Sequence, residues 1–175
     1  MKDYLRNHDL HINKDLEVSL IQKFCSTTNE DRRKRVLSNW REGYIYCVTL
    51  GIIKNRREPL KKGSKEKKAD WNSPNYLNHY YFIISKLLSK KEVLIELGLL
   101  SPSENKFEET KSLLIQNFIE KGIYEKEQFN IHVLNKVKDI ADEFMNGGLY
   151  FLKEKMEEGI NFTDDNDTLR SFLIV

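Results

Sequence analysis

An uncharged run, YIYCVTLGII at positions 44–53, carries the strongest structural signal of the sequence. Within it and just before it, apolar residues recur at the 3.6-residue spacing of an α-helix: Val36, Leu37, Trp40, Tyr44, Cys47, Val48 and Ile52. A helix that is apolar on nearly every side belongs in the interior of a domain. We therefore predict a long helix whose second half lies at the centre of the core.

Helical patterns continue along the chain, with apolar faces at 77–88, 107–119 and 129–156. A chain of 175 residues is one ordinary domain by length. The sequence therefore predicts an all-α fold, a single compact multi-helix domain that spans residues 1–175. Within it we expect an N-terminal helix and arm at 1–28, a basic loop at 54–72 and an acidic and apolar tail at 159–175.

The charge of the chain is unevenly distributed. Lys and Arg total 29 and Asp and Glu total 27, which gives a net charge of +2. Residues 1–70 hold 17 basic and 10 acidic side chains, whereas residues 71–175 hold 12 and 17. Such an asymmetry between two parts of a chain suggests a side that faces nucleic acid.

Two further features concern the location of the protein. Uncharged stretches are shorter than the ~18 residues that span a bilayer, and the N-terminal residues lack the apolar core of an export signal. We expect no membrane contact and a cytoplasmic location.

Cys25 and Cys47 have neither CxxC spacing nor clustered His partners, so we interpret both as reduced, buried thiols.

The main functional signal is a cluster of cations between positions 54 and 68. Eight basic side chains occur there: Lys54, Arg56, Arg57, Lys61, Lys62, Lys65, Lys67 and Lys68. Such a density of charge can neutralise several phosphates and bind double-stranded DNA without sequence specificity. We predict an exposed loop whose arginines clamp phosphate oxygens, with Trp71 as a ring for stacking. The alternative is a solubilising loop, or one that meets an acidic surface such as the chain's own C-terminal half.

Two features near the C terminus point to contacts with other elements. Gly147 and Gly148 are adjacent within a helical pattern, which requires either a helix break or the close approach of another backbone. The apolar end of the tail, which includes Phe172 and Leu173, is expected to dock or to form a short edge strand. We predict that Gly147, Gly148, Phe172 and Leu173 bind a partner protein.

Familiar catalytic motifs are absent from the sequence. It contains no GxxxxGK[ST], GxGxxG, GxSxG or HExxH pattern, so we predict no enzyme activity, no cofactor and no metal site. One enzyme hypothesis stays open, because Glu66-Lys67-Lys68 fits the D/E-x-K pattern of metal-dependent nucleases. In that hypothesis Glu58, Glu66 and Lys68 form the site.

Two segments resemble one family of small bacterial proteins. Residues 46–63, YCVTLGIIKNRREPLKKG, resemble the ALGxKNxRREPLKK stretch of DNA-phosphorothioation (Dnd) system-associated protein four. Residues 141–152, ADEFMNGGLYFL, resemble its closing EYANGGLEIL. The residues that fall on the family's basic loop and glycine-containing helix are Arg56, Arg57, Lys61, Lys62, Asn146, Gly147 and Gly148.

The resemblance implies a non-catalytic accessory subunit of a bacterial anti-phage defence system, which works beside an ATPase and an effector nuclease. It also implies that the basic loop contributes to DNA binding. Residues 1–28, 101–128 and the acidic tail have no counterpart in the family. A second interpretation therefore stays open, in which the chain is a protein adaptor, such as the small third component of an SMC-like ATPase complex, without DNA binding of its own.

Overall fold

The computed structural model describes residues 9–16, 37, 40–63, 65–68, 82–120, 131–162 and 166–174. Most of them are helical, which confirms the predicted all-α fold class. The helices are α1 (Lys14–Leu16, a single turn), α2 (Trp40–Ile53), α3 (82–88), α4 (Lys91–Glu96), α5 (Phe107–Glu120), α6 (Ile131–Glu157) and α7 (Asn166–Phe172). Two short strands accompany them, β1 (Asp9–Ile12) and β2 (Lys65–Lys68). None of the helices in this described part of the chain combines the length and the apolar content of a membrane-spanning segment.

These elements group into two compact units. The first contains α3, α4, α5 and the part of α6 up to Ala141, and the second contains both strands, α1, α2, the rest of α6 and α7. Apolar side chains fill the interior of each unit, among them Leu87 and Leu94 in the first and Leu50 and Phe162 in the second. The single domain expected from the chain length stays a prediction.

The uncharged run at positions 44–53 lies within α2, as predicted. Tyr44, Cys47 and Val48 are buried, so the second half of this helix belongs to the core of its unit. Cys47 is a buried thiol, which agrees with the interpretation from the sequence. Cys25 lies outside the described residues.

α2 and α6 approach each other through glycines. A Cβ atom added at Gly148 would lie 2.0 Å from the Cys47 carbonyl oxygen, and one added at Gly51 would lie 2.0 Å from that of Phe144. Only a residue without a side chain allows backbones to come this close. α6 continues through Gly147 and Gly148, so the close approach expected at this pair is confirmed and the helix break is wrong.

β1 and β2 form an antiparallel ribbon in which Ile12 lies opposite Lys65. The prediction of a loop over 54–72 is therefore wrong for 65–68. The sequence KEKK lacks the alternation of apolar and polar residues that signals a strand, and its partner strand lies far away in the sequence. Of the predicted N-terminal helix and arm, residues 17–28 lie outside the described part of the chain.

The tail docks on its own unit as a helix. In α7, Leu169 is buried, and the Phe172 ring meets the rings of Phe151 and Phe162 edge-on at centroid distances of 5.5 and 5.7 Å. The Tyr46 hydroxyl donates to the Leu169 carbonyl oxygen at 2.7 Å, and burial raises the pKa of this phenol. The docked segment is confirmed and the edge strand is wrong, because the apolar residues of the tail recur at helical spacing.

Candidate nucleic-acid interface

The basic segment leaves α2 through a tight helix end. The Arg56 amide donates to the Gly51 carbonyl oxygen at 2.8 Å, and the Asn55 amide donates to that of Ile52 at 3.3 Å. Asn55 has a φ of 48°, a left-handed conformation that Asn adopts more readily than most residues with a side chain. This Schellman-type closure brings the arginines that follow it beside α6.

Both of the predicted phosphate-clamping arginines bind carboxylates of α6. Arg56 holds Glu154 with both terminal nitrogens, and its Nη2 lies 2.8 Å from Oε1. Arg57 donates from Nε to Oε2 of Glu143 at 2.5 Å. The hydrogen bond to Glu154 raises the pKa of Arg56 and lowers that of Glu154. These two arginines thus contact the chain's own C-terminal half, and their binding to phosphate stays a prediction.

Lysines of the basic segment and of α6 lie over two aromatic rings of α6. Lys61 donates from Nζ to the Tyr150 hydroxyl, and this Nζ lies 5.1 Å from the centre of the Tyr150 ring. Lys153 lies 5.9 Å from the same ring, and Lys54 lies 5.9 Å from the ring of Phe151. Cations from two segments of the chain thus gather on two neighbouring rings, at distances where an ammonium is attracted to the ring face.

We name this cluster the Tyr150 surface. It consists of Lys54, Arg56, Lys61, Tyr150, Phe151, Lys153 and Lys155. Among its five cations, Arg56 pairs with Glu58 and Glu154, and Lys155 pairs with Glu158. A cluster of cations on a partly exposed face can attract an anionic ligand.

The residues that α6 contributes to the Tyr150 surface were not predicted from the sequence. Lys153 and Lys155 alternate with Glu154 and with the glutamates that follow, so this part of the chain carries no excess of basic residues. The available signal is the position of Tyr150, two residues after the glycine pair. If the glycine pair marks the place where α6 crosses α2, then the next turn of α6 must lie close to the residues that follow α2.

The other predicted DNA-binding lysines lie elsewhere on the second unit. Lys62 is exposed in the segment that joins α2 to β2. Lys65, Lys67 and Lys68 belong to β2, where a lysine-rich sequence also has a structural explanation. Charges on the edge strand of a sheet prevent it from pairing with strands of other chains. Trp71 lies outside the described residues.

The residues of the nuclease hypothesis are divided between the loop and the ribbon. The Glu58 amide donates to the Glu143 carbonyl oxygen at 3.0 Å, and its carboxylate lies 3.5 Å from Arg56. Glu66 and Lys68 are residues of β2. Within the described part of the chain, no three His, Cys, Asp or Glu side chains are placed to hold a metal ion. The nuclease hypothesis stays open and untested.

Two buried amide side chains fix the backbone that precedes Lys61. The Asn13 side chain donates to the Pro59 carbonyl oxygen at 3.2 Å and accepts from the Lys61 amide at 2.8 Å. Asn146 of α6 accepts from the Asn13 amide at 2.9 Å and donates to the His11 carbonyl oxygen at 3.0 Å. Both amide side chains are fully buried, so β1 and the segment before Lys61 are joined to α6 by hydrogen bonds that are at least partly shielded from water.

A buried carboxylate adds to this anchor. Asp142 of α6 is fully buried and accepts from the His11 amide at 3.0 Å and from the Tyr44 hydroxyl at 3.2 Å. The Nδ1 atom of His11 lies 3.3 Å from the same carboxylate. No sequence motif indicates this cluster, because its members come from three distant segments and each is an ordinary polar residue by itself.

The predicted partner-binding residues are engaged within the chain. Gly147 and Gly148 are buried at the crossing with α2, and Phe172 and Leu173 are half-buried at the end of α7. Packing inside the second unit accounts for the glycines and for Phe172. Their binding to a partner protein stays a prediction.

Comparison of the chain with models of known protein families, with curated proteins and with solved structures gave no match.

Proposed function

We propose that the chain binds double-stranded DNA without sequence specificity, through phosphate contacts of the Tyr150 surface and Lys62. The observation that carries the proposal is the convergence of cations from residues 54–61 and from α6 on the adjacent rings of Tyr150 and Phe151. Side chains that already lie on fixed rings lose less conformational freedom when a ligand binds. This arrangement therefore favours phosphate binding over a merely solubilising role.

The chemistry of the Tyr150 surface supports contacts with the DNA backbone. Three cations lie within 6 Å of the Tyr150 ring, those of Arg56, Lys61 and Lys153. A ring covered by cations is poorly placed to stack on a base, whereas the cations can pair with phosphate oxygens. Each neutralised phosphate releases counterions, so we expect an affinity that falls steeply with salt concentration.

The resemblance to Dnd system-associated protein four supports the biological setting of this proposal. In that setting the chain is a non-catalytic, cytoplasmic accessory subunit of a bacterial antiviral complex. It holds DNA while an ATPase and an effector nuclease act, and it links these two subunits. The cluster of cations on the Tyr150 surface is compatible with such a role, because an accessory subunit needs affinity for DNA but no reactive group.

Fluorescence anisotropy with a labelled DNA duplex of arbitrary sequence tests the proposal. We compare the native protein with the triple variant Lys61→Gln, Lys62→Gln, Lys153→Gln. At about 50 mM salt the variant should bind at least about 10-fold more weakly, and its slope of log affinity against log salt should fall by about 0.9 for each lost contact.

The matched control removes three exposed lysines of the first unit, through Lys86→Gln, Lys91→Gln and Lys106→Gln. It has the same net charge as the test variant and should keep most of the native affinity. Equal losses in both variants would contradict the proposal, because they would show a general effect of charge. A native protein that does not bind the duplex at about 50 mM salt would also contradict it.

The alternative function is that of a protein adaptor without DNA binding. The observation in its favour is Ile174, an apolar residue that is 71% exposed just after α7. An adaptor should co-purify in fixed stoichiometry with a partner protein without binding the duplex, and the uncharged substitution Ile174→Ser should abolish that association. The anisotropy experiment separates the two functions, since only the DNA-binding function requires an intact Tyr150 surface.

A further inference from the structure

The ion pair between Arg56 and Glu154 has the geometry that a phosphate would adopt on the same arginine. Both terminal nitrogens of Arg56 contact the carboxylate, one of them at 2.8 Å. A guanidinium presents the same planar fork to a carboxylate and to two phosphate oxygens. Glu154 therefore occupies the donors with which Arg56 would bind DNA.

The two partners of this ion pair differ in how firmly they are held. Arg56 follows a closed helix end, its guanidinium lies 5.9 Å from the Tyr150 ring, and 27% of its side chain is exposed. The Glu154 side chain is 50% exposed. An exposed carboxylate can turn into water at low cost, because water replaces the hydrogen bonds that it leaves.

The neighbouring pair shows a different arrangement. Arg57 is nearly as covered as Arg56, at 29% exposed. Its partner Glu143 is 21% exposed against 50% for Glu154, and the Glu143 carbonyl oxygen also accepts from the Glu58 amide. The guanidinium of Arg57 lies 5.9 Å from the Phe144 ring. This pair joins the loop to α6 on the more buried side, so the two adjacent arginines have different uses.

We infer that Glu154 is an internal competitor for phosphate at Arg56, which a polyanionic backbone displaces when it binds to the Tyr150 surface. The inference rests on the proposed function. A single free phosphate gains only one contact and must still displace the carboxylate. A DNA backbone brings several phosphates to the Tyr150 surface at once, so the other lysines provide the free energy for the exchange. Glu154 thus favours nucleic acid over small phosphate compounds.

Anisotropy titrations with the same DNA duplex test the competitor through the variant Glu154→Gln. Glutamine keeps the size of the side chain and can accept one hydrogen bond from Arg56, so the fold should be preserved. The matched control is Glu157→Gln, an exposed residue of the same helix, which changes the net charge equally. We expect Glu154→Gln to bind about 5-fold more tightly than Glu157→Gln at the same salt concentration, the upper end for an exposed ion pair.

A double-mutant cycle with Arg56→Gln assigns the effect to the pair. In the Arg56→Gln background, Glu154→Gln should bind no more tightly than Glu157→Gln, because the guanidinium that Glu154 occupies is absent. Inorganic phosphate at millimolar concentration should compete with the duplex more strongly in Glu154→Gln than in the native protein. Equal affinities of the two glutamine variants, or an advantage that persists without Arg56, would overturn the inference.

The outcomes also separate this inference from the proposed function. If the native protein binds DNA through its lysines while the two glutamine variants are equal, only the competitor is wrong. If neither the native protein nor Glu154→Gln binds the duplex at about 50 mM salt, the proposed function is wrong and the competitor with it.

Discussion

Two neighbouring parts of the basic segment use their cations in opposite ways. In the arginine part, Arg56 and Arg57, the side chains bind carboxylates of α6 and are mostly covered. In the lysine part, Lys61 and Lys62, the residues are exposed; the Lys61 amide donates to Asn13, and its ammonium lies on the Tyr150 ring. A count of cations in the sequence treats both parts as one, whereas the fold places the arginines in ion pairs and the lysines at the surface.

The physical origin of this difference lies in the side chains. A guanidinium has a rigid fork that matches a carboxylate, so an arginine near α6 finds a partner within its own chain. An ammonium is a strongly hydrated point charge on a flexible stem, and it gains less from one fixed partner. Arginines at the start of the segment therefore shape the loop, and lysines at its end keep their charge at the surface.

The arginine part depends on the crossing of α2 and α6. Gly147→Ala should disrupt this crossing, and it is the substitution with the largest expected effect on the free energy of unfolding. The new Cβ would lie 2.1 Å from the Arg56 carbonyl oxygen, so the loop or α6 must move. We expect a loss of about 3 kcal/mol in the free energy of unfolding, although alanine is the better helix former by about 1 kcal/mol. Urea unfolding followed by circular dichroism measures it.

The control for this prediction is Glu157→Ala on the exposed side of the same helix, which should change the free energy of unfolding by less than about 0.5 kcal/mol. If Gly147→Ala is as stable as the native protein, the close contact with Arg56 does not exist as described. The arginine part would then be held by its ion pairs alone.

The lysine part depends on Asn13. Its replacement by alanine should have an intermediate effect on the free energy of unfolding. Asn13→Ala leaves the Lys61 amide and the Pro59 carbonyl oxygen without their partner in a partly buried place. We expect a loss of about 2 kcal/mol in the free energy of unfolding. Lys62→Ala, in the same part but exposed, should cost less than about 0.5 kcal/mol. Equal effects of the two substitutions would show that the backbone of the lysine part is not anchored by Asn13.

The helices could be predicted because their signals are local. The uncharged run of α2, the amphipathic pattern of α6 and the glycine pair each lie within one segment of the sequence, and all three have the expected consequence in the fold. Helical hydrogen bonds join residues four apart, so the pattern that stabilises a helix is visible in the sequence.

The contacts that shape the candidate site could not be predicted because they are distant in sequence. Arg57 and Glu143 are 86 positions apart, and Arg56 and Glu154 are 98 apart. Nothing near the arginines distinguishes a carboxylate that will become their partner from the many others in the chain. The same holds for β2, a strand that exists through its pairing with β1 rather than through its own lysine-rich sequence.

The smallest expected effect is the change with pH in what the Arg56–Glu154 ion pair contributes to the free energy of unfolding. This prediction also sharpens the comparison most. The hydrogen bond from Arg56 lowers the pKa of Glu154 below its ordinary value of 4.5. A carboxylate with a lowered pKa in the folded state stabilises the fold above its ordinary pKa, and this contribution is lost as the pH falls through the lowered value. We therefore compare the free energy of unfolding of the native protein and of Glu154→Gln between about pH 7 and about pH 3.

At neutral pH the native protein should be more stable than Glu154→Gln by less than about 1 kcal/mol, because the half-exposed carboxylate is screened by water. The difference should shrink as the pH falls from the ordinary pKa of Glu154 through its lowered value, and it should also shrink in high salt. A difference that stays constant across this range would mean that Glu154 acts by packing and not by charge. Arg56 would then belong fully to the structural part of the segment, and the lysines alone would remain to bind phosphate.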